Sequence, residues 1–307
     1  MQTRYSSLHD LNLQDTWLAI GVFDGVHIGH QAMLKTLSEG ARSEKATSVV
    51  LTFDPHPAET LGMQADFKWL SPIDERTDLI LSQGIDHVIL QHFDKHFAKT
   101  SARAFMESIS RQLGIRHLLV GHDFALGHNR EGDVPYLAEL GRALGYAVYP
   151  IDAVSDGDGV ISSTLIRELL RSGQVSPAVA KLGRPYALFG EVVHGDGRGR
   201  TINIPTANLA LPEDKLVPLN GVYACWSWLG DVRKPAVTNI GTRPTFTKGE
   251  QTVHVEAHIL DHSGEIYGQV MKLEFMERLR DEQRFSGVEE LLAQIHKDIT
   301  RTRILLG

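Results

Sequence analysis

The chain has 307 residues, 42% hydrophobic and 22% charged, which is enough apolar material for a sizeable core and more length than one core usually organises; two domains are expected. Its formal net charge of −7 argues against broad electrostatic binding to nucleic acid or anionic lipid and leaves room for a local basic pocket. A single cysteine, Cys225, excludes an intramolecular disulfide and a multi-cysteine zinc site, fits a reducing compartment, and is expected as a buried strand residue.

The opening MQTRYSSLHDLNLQD lacks the basic start and apolar run of a signal peptide, and nothing later approaches about 18 uninterrupted apolar residues. The expectation is a cytoplasmic protein with no membrane or nucleic-acid partner, present as a monomer or weak homo-oligomer. WLAIGVF (17–23), TSVVLTF (47–53), HVILQH (87–92), HLLVG (117–121) and AVYPI (147–151) read as strands. Amphipathic stretches separate them; in Ser101 to Leu113, for example, Phe105, Ile109 and Leu113 recur every four residues. Five strands with crossover helices predict a doubly wound parallel sheet, in which ligands gather beyond the carboxyl ends of the strands.

GVFDGVHIGH (21–30) follows the first strand and opens a helix, with Gly25 at the turn and His27 and His30 one helical turn apart. Free backbone N–H groups, the positive helix end and two imidazoles suit a phosphate, although two histidines alone equally describe a cap or a solvated face. ISSTLIR (161–167) is expected to open another helix, with Ser162 or Ser163 near its cap and Arg167 one turn in. Hydroxyls, helix N–H groups and a guanidinium could cradle a triphosphate, and an ordinary Ser/Thr cap is the alternative. Both segments follow strands of one predicted sheet, so they converge on one site.

After about residue 183 helices give way to glycine-punctuated strands: Ala187 to Val193, Val222 to Trp228, Ala236 to Ile240, His254 to Leu260 and Val270 to Phe275. Short strands without crossovers predict an antiparallel barrel. A helix follows, with Val288, Leu291, Leu292, Ile295 and Ile299 at helical spacing. The boundary falls near Gly183 to Tyr186, giving domains 1–183 and 184–307.

In the second half, GEVVHGDGRGRTINIPTANL (190–209) passes through a loop dense in glycine and arginine. Gly195 and Gly199 could let the backbone approach phosphates, with Arg198 and Arg200 neutralising charge; a plain hairpin is the bland alternative. In VEAHILD (255–261), Val255, Ala257 and Ile259 alternate with Glu256, His258 and Leu260, so Glu256 can point into a site. Neither GxxxxGK[ST] nor a GxGxxG after a strand is present.

GVFDGVHIGH, LTFDPHP (51–57), GHDFALGHNREGD (121–133) and ISSTLIR, in this order, resemble the adenylyltransferase module of the prokaryotic bifunctional riboflavin kinase/FAD synthetases. HGDGRGR, PTANL, GVYAC (221–225), NIGTRPTF (239–246), VEAHILD and YGQVMKLEFMERLRDEQRF (267–285) resemble the riboflavin kinase module of the same enzymes. The resemblance implies a Rossmann-like nucleotidylyltransferase domain followed by a six-stranded antiparallel barrel with a terminal helix. It implies phosphorylation of riboflavin to FMN and adenylylation of FMN to FAD, both with ATP and Mg²⁺. Under it, His27, His30, Ser163, Thr164 and Arg167 hold and neutralise ATP phosphates, among the turn residues Gly21, Phe23, Asp24 and Gly25, while His56 and Asp123 help to position nucleotide and flavin. In the barrel, Gly195, Arg198, Gly199, Arg200 and Pro205 form the phosphate loop. Thr206 and Asn208 place oxygens on Mg²⁺, Glu256 takes the ribityl hydroxyl proton, and Arg280 with Phe285 shapes the flavin pocket.

Three positions depart from the family pattern. Asn203 stands where a glycine is expected before PTAN; asparagine tolerates positive φ better than most residues. Leu126 replaces an expected phenylalanine in GHDFALG, removing an aromatic surface from the transferase side, and Val22 stands where asparagine often sits.

Overall fold

The computed structural model describes residues 3–5, 11–63, 67–195, 197, 199, 202–244 and 251–307. The chain divides into two compact units, Met1–Ser163 and Thr164–Gly307.

The first unit contains β1 (Thr3–Tyr5), β2 (Thr16–Ile20), β3 (Thr47–Asp54), β4 (His87–His92), β5 (Ile115–Gly121), the short β6 (Ala125–Leu126) and β7 (Gly132–Asp133), β8 (Ala147–Ile151), and the small pair β9 (Ser155–Asp156) and β10 (Gly159–Val160). Its helices are α1 (Ile28–Ser43), α2 (Pro57–Thr60), α3 (Ile73–Leu81), α4 (Ala102–Leu113) and α5 (Val134–Leu144). Six parallel strands form one sheet in the order β1-β4-β3-β2-β5-β8. The strand beyond the expected five is β1, three residues whose pattern is too short to read. Alternate residues of one strand enter opposite cores: Leu18 and Ile20 pack with α4 and α5, whereas Ala19 packs with Leu34 and Leu37 of α1. Burial on both faces is why the central strands β2 and β3 read as continuous apolar runs, whereas the edge strand β8 is largely exposed. Helix α4 is capped by Ser101, whose Oγ accepts from Ala104 N at 3.2 Å, and is ended by Gly114 at φ 54°.

Strand order reverses at β2, with β3 and β4 on one side and β5 and β8 on the other. The switch-point crevice therefore lies beyond the carboxyl ends of β2 and β5. GVFDGVHIGH follows β2 and Asp123 follows β5. Leu126 is 8% exposed and belongs to the core packed by α4 and α5. The position is one of core packing, so the missing phenylalanine there is missing interior volume.

Helix α6 (Ser163–Arg171) begins at the division, and α7 (Val175–Leu182) follows. The barrel is closed in the order β11-β12-β15-β14-β13-β16, with β11 (Tyr186–Val193), β12 (Ala207–Ala210), β13 (Gly221–Leu229), β14 (Val232–Pro244), β15 (Gln251–Ile259) and β16 (Val270–Arg280). All six ladders are antiparallel. The sixth strand, β12, lies inside the stretch read as loop. Tyr223, Cys225, Thr238, Ile240, Ala257, Leu273 and Phe275 are buried in the barrel. Cys225 is the expected buried strand residue, and burial pushes its thiol up to about 12.

The terminal helix, Val288–Leu306, covers outward residues Val222, Ala224, Val237 and Leu279, with Leu260, through Ile299 and Leu306. Its apolar register is corrected at the start, where Val288 is 55% exposed, and the most buried helix positions are polar, Asp298 and Thr302. Asp298 is tolerated there because Arg280 reaches it with Nη2 at 2.8 Å and Nε at 3.0 Å.

Candidate active sites

The strand predicted over 17–23 stops at Ile20 because the chain then turns through positive φ: Phe23 at 54°, Gly25 at 76° and Val26 at 37°. Glycine adopts this region freely, whereas a β-branched valine is strained there, a feature concentrated at functional sites. His27 is the N-cap of α1, its Nδ1 accepting from His30 N at 3.4 Å. In neutral His27 that acceptor role puts the ring proton on Nε2. The His27 and His30 rings stack at 3.7 Å, with Phe23 edge-on to His30 at 5.2 Å. Gly29 keeps that stack possible, because a Cβ there would press to 3.1 Å from His27 Nδ1.

Ser163 Oγ donates to Asp24 O at 2.8 Å, so the residue that opens α6 is fastened to the turn before His27. Asp24 is 1% exposed, and its carboxylate accepts from Leu70 N at 3.1 Å and Ser71 N at 2.9 Å; it shapes the loop. Gly21 N donates to Leu51 O at 3.1 Å, and a Cβ on Gly21 would crowd the Phe23 ring at 3.1 Å. Thr164 is exposed, and Arg167, one turn into α6, is 8% exposed. His56 caps α2, its Nδ1 accepting from Ala58 N at 3.0 Å, and packs on Phe67 at 4.2 Å and Trp69 at 5.0 Å. Asp123 is exposed, and its carbonyl accepts from Arg130 Nη2 at 3.1 Å. Trp69 has no motif to announce it and was not legible in the sequence.

On the barrel, Glu256 sits opposite Asn208 of β12 and Asn239 of β14, so three polar side chains lie abreast on the outward face. Thr206 Oγ1 donates to Glu256 Oε2 at 3.5 Å. The alternation read in VEAHILD holds: Val255, Ala257 and Ile259 are buried inward and Glu256 and His258 point outward. His258 Nδ1 donates to Pro205 O at 2.8 Å and thereby fixes the residue before Thr206. Asn203 takes φ 57°, the left-handed turn that glycine would supply, so this departure keeps the backbone. Gly199 is required by a close approach, since a Cβ there would lie 2.2 Å from Ile204 O. Arg198 and Arg200 lie outside the described residues. Arg280 is held by Asp298 and by Asp281 O at 2.9 Å, with Phe285 5.9 Å from its guanidinium. Asn239 and His258 are site neighbours that strand register reveals and motif reading missed.

Thr206, Asn208 and Glu256 supply hydroxyl, amide and carboxylate oxygens, the hard donors that suit Mg²⁺. Among the described residues no cluster of three or more His, Cys, Asp or Glu side chains could hold a metal. The donor set fits an ion that arrives with its own phosphates and waters. Among the described residues, no helix is long and apolar enough to cross a membrane.

The FAD synthetase family profile matches residues 9–165 and the riboflavin kinase profile matches residues 182–306. A bifunctional riboflavin kinase/FMN adenylyltransferase of Listeria monocytogenes is 36% identical, over 99% of this chain and 98% of that protein. Enzymes of the same description from Escherichia coli and Bacillus subtilis are 37% and 36% identical over 94% and 92% of this chain, and 92% and 89% of their own lengths. A crystal structure described as a macrolide-efflux protein from Streptococcus pneumoniae superposes with a TM-score of 0.89 at 29% identity, covering 98% of both chains. That description belongs to the streptococcal protein.

Proposed function

Because the chain belongs to the bifunctional riboflavin kinase/FMN adenylyltransferases, we propose how its residues divide the two reactions. The enzyme phosphorylates riboflavin to FMN with ATP and joins FMN to the adenylyl group of a second ATP, releasing pyrophosphate. Residues 1–183 carry the transferase and 184–307 the kinase. Both work in the cytoplasm on small molecules, as a monomer or weak homo-oligomer without nucleic-acid or membrane partners.

In the transferase, an oxygen of the FMN phosphate attacks the α-phosphorus of ATP as the bond to pyrophosphate breaks, so no protein nucleophile is needed. His27, His30 and the N–H groups opening α1 stabilise the charge that develops, joined by Ser163, Thr164 and Arg167. The turn from Gly21 to Gly25 gives the nucleotide its close approach, and His56 and Asp123 bound the site on either side of β2. The Ser163 to Asp24 hydrogen bond is the observation that carries this reading, because it brings two distant motifs to one turn.

In the kinase, Glu256 takes the proton of the ribityl hydroxyl while that oxygen attacks the γ-phosphorus and ADP leaves. Thr206 and Asn208 hold Mg²⁺ with ATP; when bound, the ion screens phosphate charge. The loop of Gly195, Arg198, Gly199, Arg200 and Pro205 encloses the phosphates, and Arg280 shapes the flavin pocket by fixing the terminal helix and Phe285. A chromatographic time course with riboflavin, ATP and Mg²⁺ tests the whole reading: FMN rises and then yields to FAD. Absence of either product overturns the corresponding half.

A further inference from the structure

Among the described residues Arg76 is the largest completely buried side chain, at 0% exposure, and no motif announces it. It stands in α3, directly after the Leu70 and Ser71 N–H groups that hold Asp24. Its Nη2 donates to Phe53 O at 2.9 Å, where β3 passes into the DPHP segment, and its guanidinium lies 4.0 Å over the Trp69 ring. Trp69 in turn packs on His56 and Phe67, each at 5.0 Å. Nε and Nη1 are buried without a hydrogen-bond partner among the described residues. Burying a cation this way is costly, and a hydrophobic side chain would fill the same volume at less expense to stability. Two carboxylates, Asp24 and Asp54, act on it favourably, and Arg4 acts against it.

We propose that Arg76 is a positioning residue for adenylyl transfer. Its planar guanidinium ties the carbonyl of Phe53 to the ring of Trp69, beside the Leu70 and Ser71 N–H groups that hold Asp24, and so sets the walls on which His27 and His56 sit. The proposal rests on the reading that this crevice is the transferase site. A fork that donates at its edge and stacks by its face does both at once, which an ammonium cannot do. Burial pulls the group down to about 10, against the pull of Asp24 and Asp54, so arginine stays charged through neutral pH. A lysine there starts from about 10.4 and moves down by the same desolvation.

The test is made on the full chain, with Arg76→Lys and Arg76→Met, following riboflavin to FMN and supplied FMN to FAD in the same preparations across pH. FMN formation should match wild type, while kcat/KM for FAD formation falls by about tenfold to a hundredfold, the cost of misplaced walls. FAD formation by Arg76→Lys should also fall reversibly above neutrality as the lysine loses its proton, a limb that wild type lacks. If neither Arg76 variant folds, Trp69→Leu, which removes the stacked ring and keeps the guanidinium, should show the same selective loss. A wild type that makes no FAD from FMN overturns the site reading and this proposal together. A wild type that makes FAD, with variants equal to it or losing both activities in proportion to their folded fraction, overturns the proposal alone.

Discussion

A Cβ built on Gly195 would lie 2.2 Å from Asn208 Nδ2, so the start of the glycine loop is pressed against the amide expected at the metal. The contact accounts for the glycine at 195, since any larger residue there must displace the Asn208 side chain. Gly195→Ala should lower kinase kcat/KM by about tenfold or more, with FAD formation from supplied FMN as the unaffected control. Steady-state rates of both reactions on one preparation check it.

On the proposed assignment the two sites use separate groups, so single substitutions should split the activities. Glu256→Gln removes the base and should lower FMN formation by about a hundredfold or more while FMN still becomes FAD. His30→Ala should do the reverse. Either variant stopping both reactions while remaining folded contradicts the assignment.

Asp298 is 4% exposed and its partner is the Arg280 guanidinium. Removing one member of a buried pair strands the other, so Asp298→Ala should destabilise the barrel by about 3 kcal/mol. Differential scanning calorimetry should locate the loss in the transition that the isolated barrel reports. A shift no larger than that of an exposed pair, such as Lys35→Ala, would rule the clamp out.

Cys225 is raised from 9.0 to about 12, chiefly by burial. The thiol should resist disulfide reagents in the native protein and react on unfolding. A raised folded pKa adds stability that is complete below pH 9 and lost as pH climbs toward 12, because the unfolded chain releases the proton first. Denaturant titrations at pH 8 and pH 10 should show a smaller alkaline loss for Cys225→Ala than for wild type.

Much of the molecule was written in its sequence for identifiable physical reasons. Continuous apolar runs announced the central parallel strands β2 and β3 because both of their faces are buried, and ordered motifs named both modules. Asn203, expected to tolerate the positive φ of a glycine position, adopts it. What the sequence left blank were features made by distance in the chain. Strand β1 is too short to carry a period, β12 hid inside a motif read as loop, and Val288 had the right chemistry in a helix whose buried face is held by an ion pair. Asp24, expected at the nucleotide, uses its carboxylate on Leu70 and Ser71, and Arg76 had no local signal at all. The sequence by itself determined which local structures form and which chemistry they carry, since periodicity, turns and reactive groups are properties of neighbouring residues. Tertiary structure alone decided which of those groups face one another, because register, burial and desolvation exist only once distant segments pack.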